Sequence, residues 1–288
     1  MSSDAHVAQE LERVVLARIE AGSLSLPVLP AAATSALSLL RDPDVSLRAV
    51  SAVLDRDPMM VMLTLRAANA AVLGASPVST IDQGLTRLGV VRIRSLLTEV
   101  CARRVFQSRD PRIHRACEGL WEHSVAVAIL ARDLAALSGS EAEVAYMAGL
   151  LHDVAKPVVA AYLLETERVA TMRNVRWMHA DTWIEVVNQV SHSVSAAIAQ
   201  RWELPDVLVQ TIRSISEFDI SRRNSAGNYV RFANALVKQQ GIYVGAVDAD
   251  AVAALVMVGR SLLGIDEEVL QRMTADLQNR ARKRISND

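Results

Sequence analysis

The feature that most restricts the fold of this chain is a helical period running almost end to end, cut at intervals by proline and glycine. Apolar residues recur at spacings of three and four in segments rich in Ala and Leu, and no long run alternates apolar with polar residues. Aromatic residues make up only 4% of the chain, too few for the aromatic-rich strands of a sandwich or barrel. The breaks fall at Leu26-Pro27-Val28-Leu29-Pro30, Arg41-Asp42-Pro43-Asp44, Asp57-Pro58, Gly74-Ala75-Ser76-Pro77, Asp110-Pro111 and Leu204-Pro205. Asp57 before Pro58 reads as an N-cap with proline at the first helical position, and Ser79 or Thr80 is placed to cap the helix after it. Beyond a loop at Asp219 to Gly227, Tyr229 to Gln239 and Ala249 to Leu263 read as amphipathic helices on either side of a break from Gly241 to Gly245, and Glu267 to Lys283 reads as one polar terminal helix. The expectation is an all-α bundle of two helical subdomains with a waist near Ser108 to Arg112.

Composition narrows the function classes. With 51% hydrophobic and 22% charged residues among 288, the chain can bury a large core. A formal net charge of -1 argues against bulk attraction to nucleic acid or anionic lipid. The first twenty residues carry Asp4, Glu10, Glu12 and Glu20, which reads as neither a signal peptide nor an anchor. No run is expected to reach the roughly 20 apolar residues of a membrane span. Cys101 and Cys117 have no CxxC spacing, so reduced thiols and a cytoplasmic location are expected.

Against this apolar background His152-Asp153, in Gly149-Leu150-Leu151-His152-Asp153-Val154-Ala155-Lys156, stands out. Two adjacent polar groups on an apolar helix are costly unless they hold a metal ion or close a hydrogen-bond network. In the network reading, Asp153 orients a histidine and Lys156, one turn on, supplies the countercharge. In the metal reading, imidazole nitrogens and the carboxylate form a shell. His123, after Trp121 in an apolar run, and His192, followed by the small residues Ser193, Ser195, Ala196 and Ala197, each read either as a ligand or as a packed core histidine. His6, His114 and His179 read as surface histidines.

Arginines supply a second feature. Arg87, Arg92, Arg94, Arg103 and Arg104, with Arg109, Arg112 and Arg115 beyond, far outnumber Glu99 and Asp110 in the same stretch. Such a face suits phosphate or carboxylate partners, although no interleaved aromatics offer base stacking, and an ordinary solvated helix surface accounts for it equally. Arg280 to Arg284 is a short basic cluster at a helix end.

The order of the breaks, followed by Leu65-Arg66-Ala67-Ala68-Asn69-Ala70, Ile81 to Gly89, Leu120-Trp121-Glu122-His123-Ser124, Gly149 to Lys156 and His192 to Pro205, resembles the HDOD family, the HD-related output domains, over roughly residues 20 to 220. The resemblance implies a helical bundle of bacterial signalling proteins related to the metal-dependent HD phosphohydrolases. Its subdomains would be 1–110, an HD-like part at 111–217, and a helical extension at 218–288 packed on the HD-like part. In the catalytic relatives the shell is a histidine, a His-Asp pair and a distal aspartate. His123, His152 and Asp153 fit the first three, and Asn234 stands where the aspartate is expected. His192 resembles a further histidine of the HD-GYP phosphodiesterases, but Arg213-Ser214-Ile215-Ser216 replaces their His-His pair and no GYP signature follows.

The resemblance therefore implies a non-catalytic signalling module that works through protein contact, with no cofactor. No receiver, GGDEF or kinase segment is visible, so the expected partner is a signalling protein in trans or a second copy of the chain. Two alternatives stand beside it. One is a divergent phosphohydrolase or phosphodiesterase holding a divalent metal through His123, His152, Asp153 and His192. The other is a nucleotide or nucleic-acid sensor using the arginine-rich segment.

Overall fold

The computed structural model describes residues 3–24, 30–71, 76–108, 110–173 and 180–286, with no strand among them. The Leu26 to Leu29 part of the first proline break, Gly74-Ala75, Arg109 and His179 lie outside the described residues, as does the side chain of His6. The helices are α1 (Ser3–Glu20), α2 (Ala31–Leu39), α3 (Leu47–Leu54), α4 (Pro58–Ala70), α5 (Ile81–Val105), α6 (Pro111–Leu137), α7 (Ala142–Leu151), α8 (Ala155–Met172), α9 (Ala180–Arg201), α10 (Asp206–Ser214), α11 (Ala226–Gln239), α12 (Ala249–Leu263), α13 (Glu267–Thr274) and α14 (Leu277–Ser286). The all-α expectation holds.

Caps and breaks act as their residue types require. Asp57 Oδ1 accepts from the Met59 and Met60 amides ahead of Pro58, and Asp110 does the same for Arg112 ahead of Pro111. At α5 the cap is Thr80, whose Oγ1 accepts from the Gln83 amide while Gln83 Oε1 accepts from the Ser79 amide, a reciprocal capping pair. α5 is kinked at Gly89, whose φ of 72° is open to glycine at little steric cost. The single terminal helix expected at 267–283 is two helices, because the chain breaks at Ala275-Asp276.

The chain divides into two compact units, residues 27–104 and residues 1–26 with 105–287. This division differs from the boundaries at 110 and 217. α1 packs on α9, and α11 packs on α6 and α7, so both chain ends belong to the unit that holds the His-Asp pair. In the 27–104 unit, α2 to α5 close over a core that includes Ala36, Leu40, Leu54, Leu85, Ile93 and Leu97. The larger unit is built round α6, which is buried without interruption from His123 to Ala131 and is covered by α7, α8, α11 and α14. A helix apolar on every side in this way belongs at the centre of a bundle.

Contrary to expectation, one run, Ala142–Met172, is long and apolar enough by composition to cross a membrane, but 78% of its apolar window is buried inside the fold. Its composition is that of core helices, and a turn at His152 to Val154 divides it into α7 and α8.

Candidate functional site

The His-Asp pair occupies the junction between α7 and α8 and not a helix interior, which leaves backbone groups there to be satisfied from elsewhere. Ser195 on α9 does this, since its Oγ donates to the His152 carbonyl and accepts from the Ala155 amide. Read from sequence, Ser195 was only one of the small residues that let α9 approach closely. Gly149 lets α7 lie against α6: a Cβ there would stand 2.9 Å from Ala128 Cα. Those two close approaches fix the junction beside His123.

His123, His152 and Asp153 are all at most 2% exposed. His123 Nδ1 donates to the Ile242 carbonyl at 2.7 Å, and His152 Nδ1 donates to the Gly149 carbonyl at 2.7 Å. Carbonyls can only accept, so both protons sit on Nδ1 and both Nε2 atoms present a lone pair. These lone pairs face Asp153 Oδ2, at 3.8 Å from His123 and 3.3 Å from His152. The orienting groups expected of Asp153 are therefore two backbone carbonyls, one of them 119 residues distant in sequence. Lys156 Nζ pairs with Asp153 Oδ2 at 2.8 Å, while Nε2 of both histidines has no hydrogen-bond partner among the described residues.

Burial dominates the electrostatics. Desolvation pushes His123 down to about 3, with the Lys156 ammonium adding to the push and Asp153 opposing it. Burial would raise the Asp153 carboxyl, but the field of the Lys156 ammonium helps to hold it well below its usual range. His192 is pushed down to about 4, again chiefly by burial.

Two buried imidazole nitrogens without donors converge on a carboxylate oxygen, an arrangement that suits a cation. The ligand atoms of His123, His152 and Asp153 lie within 4.8 Å of one another, and each imidazole has its far nitrogen fixed by a second group, as metal-bound histidines do. The residues present therefore fit a divalent ion at three positions, and the mixed nitrogen and oxygen set suits zinc, iron or manganese. Asn234 Oδ1 is also buried without a partner and lines the same cavity, as does His192. His192 does not join the converging trio.

The arginine-rich stretch is less available than its charge suggests. Arg87 donates to the Ser76 carbonyl and Arg94 to the Leu40 carbonyl, so two of the five expected contact groups hold the 27–104 unit together, and Arg92 also has a partner. Arg104 is exposed and Arg103 half-buried. Arg112 is engaged by Asp110 and Glu167. His114 is exposed, as expected, and bonds the Ser108 carbonyl. Burial raises the thiols, Cys101 to about 12 and Cys117 to about 11, far from thiolate reactivity at neutral pH.

The model of the HDOD domain matches residues 26–218. The chain belongs to the HDOD family. An uncharacterized protein of Treponema pallidum (strain Nichols) is 31% identical over 196 residues, which is 65% of this chain but 37% of that protein's length. Among solved structures, an HDOD domain protein of unknown function from Geobacter sulfurreducens superposes with a TM-score of 0.60 at 18% identity, covering 93% of this chain and 97% of that one. A candidate metal-dependent phosphohydrolase from Shewanella amazonensis gives 0.67 at 18% identity over 97% of this chain and all of that one. A candidate signal transduction protein from Marinobacter aquaeolei gives 0.64 at 19% identity, covering 99% of this chain and 66% of that one. At these identities the likeness is one of fold: this HDOD chain shares the all-α, HD-like architecture.

Proposed function

We propose that this HDOD protein is a signalling module whose output is contact with another protein, made through α12, and that it turns over no substrate. The observation that carries the reading is the exposure of an apolar helix. α12 is seated on α11 through the buried Val252 and Gly259, with Leu255, Val256, Leu262 and Leu263 half-buried on the same face. Ala251, Ala253, Ala254, Met257 and Val258 face solvent, with Met257 69% exposed and Val258 47%. The amphipathic helix expected here turns its larger apolar residues inward, and these lie outside that face. These apolar residues, a flexible methionine among them, lie between the exposed Asp250 and Arg260 on the outer side and suit a partner's apolar helix or groove.

The name of the Marinobacter structure, a signal transduction protein, supports the signalling part of the reading. The non-catalytic part is supported by what surrounds the trio. Asn234 offers a neutral amide where hydrolytic relatives are expected to place a carboxylate. At the position of the expected second histidine pair, Arg213 donates to Gln200 and Ser214 to the Thr211 carbonyl, and neither belongs to the trio. A two-metal clamp on attacking and leaving oxygens has no second half. Val258→Glu and Met257→Glu should leave the melting temperature unchanged and abolish capture of the partner that the wild-type protein retains. Retention of the same partner by both variants would refute the reading.

One observation favours a second reading, the two orphaned imidazole lone pairs that face Asp153. An ion held by His123, His152 and Asp153 would supply Lewis-acid chemistry to a phosphate ester. In that case Asp153→Ala removes bound metal and turnover together.

A further inference from the structure

We propose that the cavity beside the His-Asp trio is a binding site for a phosphate ester of mononucleotide size, whose phosphate is held by Arg231 and Lys238. The inference does not depend on the partner contact at α12. The cavity has a volume of about 350 Å³, at the lower end of the range for small-molecule sites. Arg231, Asn234 and Lys238 stand at i, i+3 and i+7 on α11, which places them on one face, and all three line the cavity.

Each of the three is unsatisfied in a way that a phosphate ester would relieve. Arg231 is already positioned, since one terminal nitrogen donates to the Ile215 carbonyl at 2.9 Å and its guanidinium lies over the Phe218 ring, yet its buried Nε has no acceptor. Asn234 Oδ1 is buried without a donor, which suits a ligand hydroxyl. Lys238 forms no hydrogen bond or ion pair among the described residues. Burial pushes its ammonium down, with Lys156 and Arg231 adding to the push and Asp153 resisting it.

The acids that could answer these cations are committed. Asp153 is paired with Lys156 at 2.8 Å, and Asp248 accepts the Asp250 and Ala251 amides at the start of α12. Glu217, whose field reaches Arg231, is exposed and does not line the cavity. Two partly buried cations without an anion are an unfavourable arrangement by themselves and a favourable one around a phosphate dianion. The wall also carries Asn188, Ser191, His192 and Asp248 beside an apolar part made by Leu120, Val252, Leu255 and the Tyr243 ring, so the ligand carries a planar body with polar edges as well as its phosphate.

Isothermal titration of the full chain with AMP, GMP, adenosine and inorganic phosphate tests this. The expected result is saturable binding of at least one nucleoside monophosphate, weaker binding of phosphate, none of adenosine, and a loss of about tenfold or more in Lys238→Gln. Lys238→Met and Arg231→Gln, checked for an unchanged melting curve, should show the same loss. The proposal is overturned if neither monophosphate binds up to millimolar concentration, if adenosine binds as tightly as AMP, if inorganic phosphate does so, or if folded Lys238 variants bind like the wild type.

Discussion

Asp153→Ala and Asp153→Asn should separate two effects that meet at one oxygen. At the 2.8 Å separation of Lys156 Nζ and Asp153 Oδ2, with an effective dielectric of about 20, the gross attraction is about 6 kcal/mol. Breaking a buried pair costs about 3–5 kcal/mol because one charge is left uncompensated. The Lys156 side chain is 15% exposed and can turn its ammonium toward water, so the lower end applies, about 3 kcal/mol for Asp153→Ala. For a unit of this size that is a fall of about 6–12 °C in melting temperature. The asparagine variant loses the same charge but gains an amide donor near His152 Nε2, which lies 3.3 Å from Oδ2 and has no donor in the wild type. That hydrogen bond returns about 1 kcal/mol, so Asp153→Asn should lose only about 2. Differential scanning calorimetry of the three proteins in chelator, with the melting of the larger unit followed, gives the order directly. An alanine variant as stable as the wild type, or an asparagine variant below it, would refute the lone-pair geometry.

Gly149→Ala places a methyl group 2.9 Å from Ala128 Cα and 3.1 Å from its nitrogen, backbone atoms that cannot step aside. An overpacking cost of about 1–3 kcal/mol should exceed the roughly 1 kcal/mol gained in helix propensity, a net loss of about 1 kcal/mol by urea unfolding; a stabilised variant would contradict the packing. Acid should destabilise the fold before its carboxylates titrate. His123 and His192 are pushed down to about 3 and about 4 in the folded protein, against about 6.5 when exposed. Below about 6.5 the unfolded chain takes up protons that the folded chain refuses, so stability rises with pH across that window, by up to about 1.4 kcal/mol per unit for each histidine. Urea midpoints should fall steadily from pH 7 to pH 5, and a flat profile would show that both histidines accept protons in the fold.

The helices were legible because their signals are local. Ala249 to Leu263 is bounded as read, closed by an N-cap aspartate and a terminal glycine, and Asp57-Pro58 starts α4 through a hydrogen bond written into two adjacent residues. The resemblance brought His123, His152 and Asp153 into one group, and burial and distance agree. What was not legible depends on neighbours that have no side-chain signature. The groups that set both histidine tautomers are backbone carbonyls, of Gly149 and of Ile242, and any residue could supply them. Ser195 looked like a packing residue because a single hydroxyl satisfying both ends of a helix junction cannot be read from one helix. α12 buries the face its helical period marks, through Val252, Leu255, Val256 and Gly259, and the exposure of Met257 and Val258 beyond that face appears only when the helix is packed. Arg87 and Arg94 read as a charged surface, and their commitment to carbonyls appears only when the helices are packed.

A photo-crosslinking amino acid placed at Met257 in living cells probes α12 as a contact surface, with exposed Gln271 on α13 as the control position. The expected result is a discrete protein adduct from position 257 that is absent from 271. No adduct from 257, or the same adducts from both positions, would contradict it.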